Sequence, residues 1–166
     1  MRYSLHLLGQ SRFYWLFVLA GALLVEAIAL YYQYFLDEPP CVLCIHVRLW
    51  IALIAVLALV FVILPKTPGF ISHSLMALTG AAMIERSWQL LGNERGFIIG
   101  SCGFDTGLPS WFAPDRWFPL LFEIQTTCGY TPEVVFGITM AEALLAGSVV
   151  FTLFCVAMVI MSIRAR

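Results

Sequence analysis

Phe13 to Tyr34 is an almost unbroken run of apolar residues, and such a run leaves a polypeptide few choices. About 20 apolar residues cross the hydrocarbon core of a bilayer as a helix, because every backbone N–H and C=O must there find its partner within the segment. Comparable runs recur at approximately 44–64, 70–91 and 141–163. The expectation is an all-α membrane protein: a four-transmembrane-helix bundle in which residues 1–166 form a single membrane domain, with loops at approximately 35–43 and 92–140. Composition agrees, since 61% of residues are hydrophobic and only 11% charged, against about 25% charged in a typical soluble domain. With a net charge of −1 and no basic tract, the chain lacks the electrostatic footprint of a nucleic-acid-binding protein.

Orientation follows from the basic residues. Arg2 and Arg12 precede the first run, Lys66 sits in the Pro65-Lys66-Thr67-Pro68-Gly69 turn, and Arg164 and Arg166 follow the last run. Four crossings place all of them on one side, which the positive-inside rule makes cytoplasmic, together with both termini. A signal peptide cleaved near Ala20-Gly21-Ala22 is the rival reading of the first run, but the apolar stretch continues to Phe35, too far for a typical signal core. The long second outer loop interleaves Trp111, Phe112, Trp117, Phe118, Leu120, Leu121 and Phe122 with Asp115, Arg116 and Glu123. That mixture predicts a short segment lying on the membrane surface. Glu26, in the middle of the first run, is either a functional carboxylate or one packed and hydrogen-bonded between helices. Glu85 and Arg86 either reach the headgroups or contribute to a site.

Five cysteines are many for a reducing compartment. In the predicted topology Cys41, Cys44, Cys102 and Cys128 share the outer, oxidising face, while Cys155 lies inside the last run and reads as a small apolar core residue. Cys41-Val42-Leu43-Cys44 follows Pro39-Pro40 at the mouth of the second run. A thiol at a helix N-terminus near a cation has its thiolate stabilised, and Arg48 lies one turn beyond Cys44 on the same helical face. Zinc would favour two close pairs, whereas 25 residues separate Cys102 from Cys128, so no metal site is predicted. Structural disulfides, as in an adaptor or receptor, are a second possibility, but a bridge between Cys41 and Cys44 would close too small a loop to stabilise much. A redox relay remains. The chain carries no nucleotide, flavin or haem motif, and a membrane-soluble quinone whose head reaches Cys44 and Arg48 would serve as acceptor. Arg48 would hydrogen-bond a quinone oxygen and stabilise developing negative charge there, or else anchor to lipid phosphate.

These residues together resemble the DsbB family, the quinone-dependent thiol oxidoreductases of the bacterial inner membrane. The resemblance spans nearly the whole chain. It rests on Glu26, on Pro40-Cys41-Val42-Leu43-Cys44 followed by Arg48, on the Pro65-Lys66-Thr67-Pro68 turn, on the pair Cys102 and Cys128, and on the start of the last run. It implies a four-helix bundle with its active site on the periplasmic side and a DsbA-like thioredoxin-fold partner. The partner would attack a Cys102–Cys128 disulfide, at Cys102. Cys41 and Cys128 would then join transiently, and electrons would leave through Cys44 to ubiquinone, or to menaquinone without oxygen. A specialised paralogue serving another thioredoxin-like partner fits the same motifs. Val47 departs from the family pattern, in which Glu or Gln often precedes the arginine, and Asn93 to Ser101 matches no family motif.

Overall fold

The computed structural model describes residues 11–64, 67–98 and 102–164. Among them are four long helices: α1 (Arg12–Phe35), α2 (Val42–Ile63), α3 (Gly69–Glu94) and, after the long loop, α6 (Met140–Arg164). Arg2, Lys66 and Arg166, on which the predicted orientation partly rests, lie outside the described residues. Helix starts are chemically marked. The Ser11 hydroxyl accepts from the Tyr14 N–H at 3.2 Å, satisfying one of the donors that a first turn leaves free. At α6, the Thr139 N–H donates to the Glu142 carboxylate at 3.1 Å and the Glu142 N–H to the Thr139 hydroxyl at 3.4 Å. This is a reciprocal capping box.

Three of these helices, α1, α2 and α6, are long and apolar enough to cross a membrane. They present Phe13, Phe17, Leu24, Val56 and Leu153 outward, as side chains facing lipid would be. The fourth, α3, is just as long but more polar, and it turns Ser72, His73, Thr79 and Ser87 inward among its neighbours. In water this would be an unusual core, whereas between helices in lipid small polar residues allow close packing. Gly80 shows how close: a Cβ there would lie 2.3 Å from the Thr152 hydroxyl of α6. Accordingly α3 packs most extensively on α6, with α1 against α2 and α2 against α3. One core cluster joins Trp15, Val47, Ile51, Phe61, Met76, Met83 and Cys155, with the Trp15 ring stacked on His73 at 5.2 Å.

Two single-turn helices, α4 (Pro114–Trp117) and α5 (Pro119–Phe122), interrupt the long loop. Each begins at a proline, whose fixed φ and missing N–H suit a first helical position. The Tyr34 hydroxyl donates to the Leu120 carbonyl at 2.7 Å, tying α5 to the end of α1. Beyond it the chain forms a hairpin absent from the sequence-based expectation: β1 (Glu133–Val135) pairs antiparallel with β2 (Ile138–Thr139). Its two-residue tip, Phe136 and Gly137, has φ of 53° and 79°, the positive values that a primed hairpin turn requires.

Candidate active site

The chain entering α2 builds the first half of the site. Pro39 and Pro40 hold it extended, and Cys41 becomes the N-cap of α2, its sulfur accepting from the Cys44 N–H at 3.4 Å. The two sulfurs lie 3.1 Å apart. Hydrogen bonding from the Cys44 thiol, helped by the backbone N–H groups of the first turn, outweighs burial and lowers the Cys41 thiol to about 7. The capping thiol is thus stabilised as thiolate beside the thiol of Cys44. The reason is positional: the cap sulfur faces the free N–H donors of the first turn.

A lid from the long loop covers this end. The Gln125 and Thr126 N–H groups donate to the Pro40 carbonyl at 3.0 and 3.3 Å, and Cys41 forms a parallel bridge with Thr126. Cys41 is left only 1% exposed. A disulfide joins Cys102 to Cys128, with Cα atoms 5.4 Å apart. Both its cysteines pack with Cys41, Val42, Leu43, Leu90 and Cys44 in one apolar cluster. Cys41 and Cys44 thus share one end of the molecule with Cys102 and Cys128, which lie far from them in sequence. Cys155 belongs to the other cluster. His46 secures the Cys102 side: its Nε2 lies 2.8 Å from the Thr106 carbonyl oxygen, an atom that only accepts, so the ring nitrogen donates.

One turn beyond Cys44, Arg48 is buried. Its Nη1 donates to Gln33 Oε1 at 2.8 Å, its Nε faces Glu26 Oε1 at 3.5 Å, and the guanidinium carbon lies 5.9 Å from the Phe122 ring centroid. Snorkelling to headgroups is therefore not what this arginine does here. Val47 points instead into the apolar core, so the carboxylate supporting Arg48 comes from α1 and not from the preceding residue. Glu85 and Arg86 pair with each other at 3.0 Å, half exposed on α3. Cys44, Arg48 and Gln33 line a cavity of about 770 Å³ that runs between α1 and α6 as far as Tyr14 and Phe154.

A family profile described as "Disulfide bond formation protein DsbB" matches residues 11–158. The chain belongs to the DsbB family. Similar relatives include "Disulfide bond formation protein B" of Photorhabdus laumondii, 30% identical over 93% of this chain and 97% of that protein. The protein of the same description from Shewanella denitrificans is 30% identical over 88% and 87%, and "Disulfide bond formation protein B 2" of Pseudomonas aeruginosa is 30% identical over 80% of each. As a DsbB-family protein the chain is a multi-pass membrane oxidoreductase of disulfide bond formation. Sequence reasoning had singled out the four cysteines and Arg48 and had left Glu26 open. It missed Gln33, although Glu26 and Gln33 are seven residues apart in an apolar helix and so share a face. Nothing local marked Ile124 to Thr126 as the cover of Cys41.

Proposed function

We propose that the protein oxidises a periplasmic DsbA-like dithiol and passes the electrons through its two cysteine pairs to membrane quinone. The single observation that supports this best is the convergence of four cysteines at the mouth of a long apolar cavity that also holds a buried arginine. In this reading a thiolate of the reduced partner attacks Cys102, breaking the Cys102–Cys128 bond. The partner's second thiol then resolves the mixed disulfide, so the partner leaves oxidised and two electrons remain on Cys102 and Cys128. Exchange of Cys128 with a Cys41–Cys44 disulfide returns the outer pair to its bridge and leaves Cys41 and Cys44 as thiols. Reclosure of that bridge releases two electrons and two protons, and a bound quinone is the group that takes up both.

The residues present fit a quinone. Arg48 Nη2 and Gln33 Nε2 are buried donors with no hydrogen-bond partner among the described residues, and both residues line the cavity beside Cys44. A quinone ring with its carbonyl acceptors answers both donors, and the apolar walls toward Tyr14 suit an isoprenoid tail, of ubiquinone or, without oxygen, menaquinone. Arg48 binds and orients; it also favours negative charge on an oxygen beside it. The remaining topology completes the proposal: α3 is a fourth span, both termini are cytoplasmic, and α4 and α5 lie on the periplasmic membrane surface in the bacterial inner membrane. Exposed Trp111, Trp117, Phe118 and Leu120 support that placement. The test is anaerobic addition of a reduced DsbA-like protein to the purified protein with quinone, following quinol formation. Cys44→Ser is expected to abolish quinol formation and Cys102→Ser to block oxidation of the partner; full turnover by either variant refutes the reading.

A further inference from the structure

Arg48 is held from α1 by two side chains with different consequences. A guanidinium has only donors, so the Gln33 atom 2.8 Å from Arg48 Nη1 must be the amide oxygen. The orientation of this amide is therefore fixed by chemistry, and its NH2 group points away from the arginine. Among the described residues that nitrogen is buried and unpartnered, as are the neighbouring Arg48 Nη2 and the Glu26 Oε2 acceptor, and Gln33 and Arg48 are only 6% and 4% exposed. A buried donor without an acceptor is costly, and the two residues that carry these donors both line the cavity.

Charge narrows what answers them. Glu26 sits 3.5 Å from the Arg48 Nε, so the positive charge is already balanced within the protein. Two donors beside an arginine already facing a carboxylate favour a neutral acceptor over an anion, which both Glu26 and Glu38, the latter also lining the cavity, would repel. We propose that Gln33 is a ring-binding residue of the quinone site, its amide N–H donating to a quinone carbonyl oxygen alongside Arg48 Nη2, with Glu26 setting the selectivity for an uncharged acceptor. This rests on the quinone reading above and adds to it a ligand on α1.

The measurement is equilibrium binding of decylubiquinone to the detergent-solubilised full chain, together with the rise in unfolding temperature that it produces. Gln33→Glu keeps the shape and still offers Arg48 an acceptor, but presents no N–H to the cavity. It is expected to weaken binding about ten-fold, by loss of one hydrogen bond and a new clash of lone pairs, and to shrink the temperature rise. Gln33→Met, of similar length and without polar atoms, is expected to weaken binding in the same direction and serves if the charged variant fails to fold. Single-turnover disulfide exchange with the reduced partner in quinone-free protein checks that each variant is folded. Wild-type protein that binds decylubiquinone while either folded Gln33 variant binds it within two-fold overturns this inference alone. Wild-type protein that binds none overturns the quinone reading and this inference with it.

Discussion

Cys41 and Cys44 are three residues apart, yet their surroundings assign them different work. Cys41 caps α2 beneath the Gln125–Thr126 cover, beside the Cys102–Cys128 bridge, whereas Cys44 and Arg48 line the cavity. With its thiol lowered to about 7, Cys41 is protonated below that pH and becomes thiolate as pH rises through it. Ultraviolet absorbance of the thiolate, taken as the difference between the reduced protein and its Cys41→Ser variant, should rise with a midpoint near pH 7. Cys44→Ala removes the largest cause of the lowering and should carry the midpoint up toward the ordinary cysteine value of about 8.5; an unmoved midpoint would contradict the assigned cause. Arg48 supplies a second prediction at this scale. Removing one member of a buried ion pair strands the other, a loss of about 3–5 kcal/mol. Arg48→Met should therefore lower stability sharply, and adding Glu26→Gln should recover most of the loss, since the stranded carboxylate is then gone. Unfolding in mixed micelles reads both; additive losses in the double variant would mean that Glu26 and Arg48 do not depend on each other.

Among the elements, the cover over Cys41 lies between the anchoring of α5 through Tyr34 and the Cys102–Cys128 bridge, and it is pinned to the chain before α2 by the two N–H groups on the Pro40 carbonyl. Gln125→Pro removes the shorter of those two hydrogen bonds, worth about 1 kcal/mol. It should expose Cys41 several-fold more often, measured as faster alkylation of Cys41 in the reduced protein, with the long helices unaffected by circular dichroism. The α3–α6 contact obeys a different constraint. At Gly80 the helices approach too closely for any side chain, so Gly80→Val should separate them at a loss of about 1–3 kcal/mol, read as a lower unfolding temperature. The long apolar helices were legible in the sequence because length and hydrophobicity are local properties, and the capping cysteine was legible because Pro39-Pro40 precedes it. The hairpin was not, since Phe136 occupies a positive-φ position where Asn or Asp is the usual signal. Nor was the Gln125–Pro40 contact, because hydrogen bonds between backbone groups 85 positions apart leave no mark in side-chain pattern.

On the scale of the whole molecule, the bundle is open along one side: the cavity lies between α1 and α6, from Gln33 and Cys44 at one end to Tyr14 and Phe154 at the other. Gln33 and Tyr14 are 19 positions apart on one helix, which at about 1.5 Å per residue is close to the full thickness of a hydrocarbon core. The same opening explains why Arg48 needs α1 at all, since the guanidinium would otherwise face the gap with no carboxylate to balance it. On the quinone reading proposed above, the mouth would hold the head and the remainder of the passage the tail, so the two parts should be separable by mutation. Gly147 of α6 lines the passage, and a Cβ there would meet nothing within 4 Å among the described residues, so a larger side chain enters free space without straining the backbone. Gly147→Phe should therefore raise the KM for a long-tailed ubiquinone by an order of magnitude or more while changing the KM for a tail-less analogue little, with disulfide exchange against the reduced partner unaltered. Equal effects on both quinones would place the tail outside this passage. No effect on either would mean that the opening between α1 and α6 closes when the protein works.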